Sequence, residues 1–499
     1  MGFSALLVSC YELGHQPLSL AWPLAALRAA GLNADTVDLA VEEFPTHQAA
    51  RADLIAIAVP MHTALRVGVE AARQARAANA GAHLCFFGLY AWLNRDYLLK
   101  EGEGGSQAIA DSVVAGETEL VLVELAQRLS SAQPPIAVAG LTTRERAASP
   151  SLARLTLPLP DRSTLPPLDN YAHYVDGPLA VGNGNEPVAV RAGYVEASRG
   201  CLHKCRHCPV VPVYNGRFFV VPVETVMADI RQQVEAGARH ITFGDPDFLN
   251  GPGHARKVAN ALHTAFHGVS FDFTAKVEHL LKHRALLPEL VACGASFAVS
   301  AFESTSDRVL ARLQKGHTRR QMEELIALLG ETGLSVQPTW MPFTPWTGLE
   351  DYLFMLRWIR EQGLIPHVPP VQLSIRMLVP PQSALLEHED APGWLGTLDA
   401  PNFTYRWQHP DPRMDELQQE VARIAEIAGR HEAAGQSNDS GETAVQSDPA
   451  AYGEDFDPFE VFRHVERTAY RFDGRPAPDW PLPSSRVPQP PRLTEHWFC

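Results

Sequence analysis

No stretch of this chain approaches the roughly 20 consecutive apolar residues that cross a bilayer, and its first residues lack the basic segment and cleavage site of a secretory leader. A cytoplasmic location with no membrane partner is expected. Cysteine is scarce, with seven in 499 residues, which excludes a disulfide framework. Positive charge is short as well: 42 Lys and Arg stand against 57 Asp and Glu, a formal net charge of −15. That balance argues against a protein that coats nucleic acid or anionic membrane through its overall field, and points to small-molecule partners.

What is present is enough apolar side chain, 45% of the residues, for more than one core, and a length that suggests about three domains at roughly 150 residues each. Residues 1–135 alternate short apolar runs, such as Leu54–Val59 and His83–Phe87, with helical patterns. This predicts a doubly wound α/β domain with a parallel sheet covered on both faces and a ligand crevice at the carboxyl ends of its strands. Residues 136–187, rich in proline and glycine, read as a linker. A second alternation over 188–385, six strands and five helices ending in a strand at Gln372–Ile375, predicts a barrel of βα units with functional residues just after each strand. Residues 386–499 read as a helical extension with a mobile loop at 435–448.

The strongest chemical signal follows the first barrel strand: Cys201-Leu-His-Lys-Cys205-Arg-His-Cys208. Three thiolates at this spacing can each reach a different iron of a [4Fe–4S] cube, which normally takes four cysteines. Cys10, Cys85, Cys293 and Cys499 stand in other predicted elements. One iron is then left open to an exogenous ligand. The alternatives are a structural zinc completed by His203 or His207, for which no second ligand pair follows at the usual spacing, and unligated cysteines.

With these three cysteines the sequence resembles the radical S-adenosylmethionine (SAM) superfamily, whose CxxxCxxC signature lies after the first strand of a partial (β/α)6 TIM barrel. The resemblance implies that Cys201, Cys205 and Cys208 hold the cluster, that its open iron chelates SAM, and that an electron from the cluster cleaves SAM to a 5′-deoxyadenosyl radical. It implies SAM contacts at Gly244, Asp245 and Asp247 after the second strand, at Thr274, Lys276 and Glu278 after the third, and at Ser300 and Glu303 after the fourth. Arg376 on the sixth strand is a candidate bidentate partner for a carboxylate. Each carboxylate or lysine has an ordinary alternative as a helix cap or ion pair. His317 reads as a turn residue, and Pro342–Trp346 as stacking surface near the barrel mouth.

A doubly wound domain ahead of such a barrel resembles the cobalamin-binding class of radical SAM enzymes. The Asp-x-His-x-x-Gly loop of the well-known cobalamin fold is absent; the corresponding loop reads Ser9-Cys-Tyr-Glu-Leu-Gly14-His15. The resemblance implies corrin contacts at His15, Pro60, Met61, Gly88, Gly116 and Glu117, with Gly116 small enough to let the nucleotide tail approach. The ending at Cys499 resembles radical SAM proteins with Cys-Cys-Ala-Glu-Pro or Cys-selenocysteine-Ala-Glu-Pro tails, in which case a selenocysteine codon would have been read as stop and Cys499 would take part in the chemistry; the alternative is a native exposed C-terminal cysteine. The leading expectation is cobalamin-dependent methyl transfer to an unactivated carbon of a small molecule, served by an electron donor such as flavodoxin or ferredoxin. The alternatives are a radical SAM enzyme of another transfer type, for example to a soft atom such as arsenic or selenium, with a vestigial cobalamin domain, and a non-enzymatic zinc- or cluster-stabilised binding protein.

Overall fold

In the computed structural model the described residues are 2–101, 108–154, 156, 158–175, 189–436 and 457–494. The expected mobile loop lies outside them from 437 onward, as does Cys499. Six strands form the first sheet: β1 (Ser4–Ser9), β2 (Asn33–Asp38), β3 (Leu54–Ala58), β4 (His83–Phe87), β5 (Ser112–Val114) and β6 (Leu141–Thr143). Their order is β2-β1-β3-β4-β5-β6, parallel except for the β5–β6 pair. Alternate residues serve opposite faces. Leu6, Val8, Ile55, Ile57 and Phe86 pack on helix His62–Ala78, while Leu7, Ala56, Ala58 and Phe87 pack on helices Leu18–Ala29 and Glu119–Ser130. The strand order reverses between β1 and β3, and a crevice for ligand opens at such a switch point.

The segment expected to be a linker does more than connect. Leu141–Thr143 closes the edge of the first sheet, and β7 (His173–Val175) joins the second. After β7 come β8 (Val190–Val195), a two-stranded ribbon of β9 (Ser198–Gly200) against β10 (Phe218–Val220), then β11 (His240–Phe243), β12 (Ser270–Thr274), β13 (Ala295–Glu303) and β14 (Ser335–Trp340). The five strands β8, β11, β12, β13 and β14 run parallel as a curled half-barrel. The α/β class and the order of elements match expectation. The sixth position differs: Pro369 and Pro370 lead into a 3₁₀ turn at Pro370–Leu373, and only a bridge from Phe343 to Arg376 remains of the expected strand. Proline lacks the N–H that a ladder needs, so the chain forms a turn there.

Outward-facing Phe243, Phe271, Phe273 and Phe302 fill the layer between this sheet and its helices. The opposite face has a polar floor, where His240 and Thr242 both bond the Asp272 carboxylate, at 2.8 and 2.7 Å. Higher up, Thr274, Val299, Ala301, Gln337 and Thr339 are only half-buried, so the upper half-barrel is hollow.

The C-terminal extension ties both sheets together. Helices Pro412–Gln436 and Pro458–Asp473 pack beside the barrel, and a hairpin of β15 (Leu395–Asp399) and β16 (Thr404–Trp407) reaches the first domain. At its turn Phe403 is buried edge-on to Tyr97 and His62, and Asn402 accepts from Arg66 at 2.7 Å. No described helix is long and apolar enough to cross a membrane. A last strand, β17 (Arg492–Leu493), pairs with β7.

Helix Leu18–Ala29 begins after a proline, and Glu12 supplies its cap: the carboxylate accepts from Leu18 N and Ser19 N, both at 3.1 Å. Burial pushes the Glu12 carboxyl up to about 8. Because the folded state favours the protonated form, this group's stabilisation is present at low pH and is lost as pH rises from the ordinary glutamate value through about 8. Glu12→Gln removes that titration, so the melting temperature of the variant minus that of the wild type should increase steadily from pH 5 to pH 9. A difference that stays flat would refute the burial argument.

Candidate functional site

The cysteine loop leaves the β9–β10 ribbon and folds over the carboxyl end of the half-barrel. Its backbone is held from three sides: Leu202 N donates to Asn250 Oδ1 at 3.2 Å, Arg206 N to Leu313 O at 3.0 Å, and Cys208 N to Cys205 O at 3.1 Å. Cys201 and Cys205 are buried and Cys208 is half-buried. Burial pushes the Cys208 thiol up to about 12, with the neighbouring Cys205 and Cys201 adding to the effect and Lys315 opposing it. Free thiolates are disfavoured here, and bound iron would supply the missing positive charge. Cys10 and Cys85 lie in the cores of the first domain, and Cys293 sits beside Asn260. No fourth cysteine joins the loop among the described residues. The donor set therefore fits a cluster bound through three irons, with one corner open.

Glu303 ends β13 in the left-handed region, at φ +63°, a conformation that costs a non-glycine residue roughly 1–3 kcal/mol. Two partners hold it there: Lys315 Nζ and His207 Nε2 each lie 3.1 Å from Glu303 Oε1. Burial alone would raise the Glu303 carboxyl, but Lys315 and His207 hold it well below the usual carboxylate range. The buried ammonium thus bonds a carboxylate and is favoured electrostatically by the thiolates of Cys205 and Cys208. His207 packs against an acid rather than completing a zinc site, and His203 likewise turns Nε2 toward Asp247. Lys315 stood in the sequence beside His317, which is itself buried with Nε2 3.3 Å from Phe302 O. A lone lysine between a helix and a glycine carries no pattern that marks it.

Between the two domains lies a cleft of about 290 Å³. Pro60, Gly88 and Gly116 line it from the first domain, and Tyr194, Gly200 and Gly244 from the second. Arg199, two residues before Cys201, closes one wall. Its guanidinium pairs with Glu119 at 2.7 Å, Glu196 at 2.9 Å and Glu117 at 3.1 Å, and lies 5.0 Å from the centre of the Trp22 ring. Tyr214 OH donates to Glu117 at 3.0 Å. One Glu119 oxygen is buried with no hydrogen-bond partner among the described residues, so the wall still has an acceptor to offer a ligand. Arg199, Glu119 and Trp22 complete this contact. Sequence reading could not pair them, since more than 70 positions separate Arg199 from either of the other two.

Some expected contacts fall elsewhere, while the glycines that do line the cleft are also required by the packing of the chain itself. His15 does not line the cleft; it lies flat on Tyr194, ring centres 4.6 Å apart, and burial pushes its pKa down to about 4. Met61 precedes helix His62–Ala78 and packs into the core. Gly116, at φ +82°, is small because a side chain would collide with Ser151 backbone, and Gly88, at φ +106°, because it abuts Val59 backbone. A Cβ at Gly244 would collide with the Tyr194 ring. Ser300 shares a strand face with Ala298 and Phe302 and points into the helix-side core, where its hydroxyl finds no partner among the described residues. Arg376 does hold a carboxylate, that of Asp415 at 2.6 Å, while stacking 3.5 Å from the centre of the Trp407 ring; it anchors the C-terminal extension.

Asp245 likewise acts on the chain itself, accepting from Ala197 N at 2.9 Å and from Ser198 Oγ, while burial pushes it up to about 7. Asp247, Lys276 and Glu278 cluster with His203 and His279 on the rim. Thr274 faces the hollow half-barrel.

Residues 195–354 match the profile of the Radical SAM superfamily. The curated relatives include the tRNA-2-methylthio-N(6)-dimethylallyladenosine synthase of Bdellovibrio bacteriovorus, 28% identical over 153 residues, 28% of this chain and 32% of its own length. The ribosomal protein uS12 methylthiotransferase RimO of Geobacter sulfurreducens is 25% identical over 180 residues, 34% of this chain and 39% of its own. The chain thus spans about a third of the length of these relatives. Among solved structures, the cobalamin-dependent SAM radical enzyme OxsB, with aqua-cobalamin and SAM bound, superposes with a TM-score of 0.68 at 14% identity, over 94% of this chain and 72% of its own. The radical SAM methyltransferase TsrM from Kitasatospora setae, with tryptophan and aza-SAM bound, gives 0.54 at 18% identity, over 71% and 70%. At such identities the structural likeness establishes the fold. With this profile match, a five-stranded parallel half-barrel and the three-cysteine loop folded over its mouth, residues 195–354 are a radical SAM domain.

Proposed function

We propose that this protein is a cobalamin-dependent radical SAM methyltransferase acting on an unactivated carbon of a small molecule. The observation that carries the reading is a single juxtaposition: the residues flanking the three-thiol loop, Arg199 and Gly200 before it and Val210 and Tyr214 after it, line one cleft with the switch-point rim of the first sheet. A radical SAM domain carries a [4Fe–4S] cluster and SAM. When bound, these supply a carbon-centred radical able to remove hydrogen from carbon, and cobalamin supplies a methyl group.

The chain's own part is placement. Cys201, Cys205 and Cys208 hold the cluster, and Lys315 sets a fixed positive charge against its thiolates while Glu303 and His207 keep that lysine in position. Thr274, Gln337 and Thr339 offer polar contacts inside the hollow half-barrel, where SAM and substrate would meet. The cleft walls at Pro60 and Gly88, with the free Glu119 oxygen, suit a flat ligand edged with hydrogen-bond donors such as a corrin carboxamide. Arg199 binds the two walls to each other, so a ligand between them meets a preformed gap. A flavodoxin- or ferredoxin-type protein would serve as the one-electron donor.

Anaerobically reconstituted protein given dithionite and SAM should release 5′-deoxyadenosine, and Cys205→Ala should bring that product to background while lowering bound iron. Normal product from the variant would remove the cluster from the mechanism. After hydroxocobalamin loading and desalting, the wild type should retain about one corrin per chain. Deoxyadenosine release without any retained corrin would leave the SAM chemistry standing and defeat the methyl-transfer reading. Arg199→Met should leave three acids facing one another in a buried wall, at a cost of about 3–5 kcal/mol, read as a lower melting temperature together with weakened corrin retention.

A further inference from the structure

On the rim of the half-barrel, three ligand-type side chains from separate elements converge. His203 comes from the cysteine loop, Asp247 from the turn after β11, and His279 from helix Val277–Lys282. Asp247 Oδ2 lies 3.0 Å from His279 Nδ1 and 3.6 Å from His203 Nε2, and the two nitrogens are 3.4 Å apart. Ligand atoms about 2.0–2.2 Å from a tetrahedral ion sit about 3.3–3.6 Å from one another, so the triangle is close to one face of such a site. The same Asp247 oxygen also accepts from Lys276 N at 3.2 Å. Three nitrogens crowd one oxygen that has two lone pairs. All three side chains are largely withdrawn from solvent, with 15%, 1% and 8% exposed for His203, Asp247 and His279.

The geometry points to a second metal site, distinct from the iron–sulfur cluster, in which His203 Nε2, Asp247 Oδ2 and His279 Nδ1 bind one divalent transition-metal ion of the zinc class and leave a fourth position open. Two imidazoles and one carboxylate form a donor set suited to borderline ions, not to calcium or magnesium. The surroundings supply the outer contact that such histidines use. His203 Nδ1 lies 3.0 Å from Lys276 Nζ and 3.9 Å from Glu278 Oε2, and Lys276 and Glu278 are 3.4 Å apart. A histidine that binds metal through Nε2 keeps its proton on Nδ1, where it cannot accept from an ammonium. The Nδ1–H therefore turns to Glu278, the usual carboxylate orienter, and Lys276 is released to Glu278 alone. Each ring retains one proton, moved to its other nitrogen. Gly316 leaves room for this carboxylate, since a Cβ there would press on Glu278.

Lys276 thereby competes with the metal for His203, a relation that a merely structural hydrogen-bond cluster would not produce. The test uses the full chain with its cluster reconstituted anaerobically, dialysed against buffered Zn²⁺, with iron and zinc counted separately by mass spectrometry. The wild type should bind about one zinc beyond its iron. His279→Gln should weaken zinc binding at least about tenfold with iron unchanged, and Lys276→Met should tighten it. No zinc beyond the iron, zinc gained only as iron is lost, or equal zinc affinity in His279→Gln would each overturn the site. Iron content and deoxyadenosine release report on the radical chemistry independently, so failure of the zinc site is distinguishable from failure of that reading.

Discussion

The structure depends on one buried guanidinium. Arg199 stands two residues before the first cluster cysteine and is surrounded by Glu196 of its own segment and by Glu117 and Glu119 of the other domain. A buried cation among acids is strongly costly to leave unpaired, so the two domains cannot part at this wall without exposing or stranding charge. The pairing thereby fixes where the thiol loop stands relative to the first sheet. The cleft is a consequence of that contact, since its lining comes from both sides of it.

A second buried cation works at shorter range. Lys315 bonds the Glu303 carboxylate and is favoured by the charge of the Cys205 and Cys208 thiolates, and the left-handed backbone at Glu303 is the local cost of that arrangement. Such a fixed charge lowers the penalty for gathering thiolates in a region that water scarcely reaches. The rim cluster around Asp247 lies on the other side of the same loop, through His203. The eight residues from Cys201 to Cys208 are therefore flanked by two polar networks, each tied to a different barrel strand.

Much of the fold was legible along the chain because its strands are short apolar runs bounded by glycine, proline and polar turns. Helix Arg319–Thr332 begins with a capping box from Thr318 to Gln321, and the phenylalanines of β11 and β12 alternate with polar residues as a one-sided strand requires. The cysteine spacing was equally legible, since ligands on one loop are neighbours in sequence and in space. Illegible were the places where a residue's role depends on a distant partner. Gly116 is explained by Ser151, Arg376 by Asp415, His15 by Tyr194, and the missing sixth strand by a proline pair whose effect on the ladder outweighed the apolar pattern. The family resemblance makes Ser300 a SAM contact, yet a period of two along β13 sends it to the helix-side face.

The amino-acid order by itself determined the α/β class, the succession of elements and the three-thiol loop, because each rests on periodicity or spacing within a few residues. Only the tertiary structure decided which acids surround Arg199, that the Cys205 and Cys208 thiolates favour the Lys315 charge, and that His203, Asp247 and His279 share one point. Glu196 apart, these are encounters between side chains 32 to 110 positions apart, set by how strands twist and domains pack, and no local pattern encodes them.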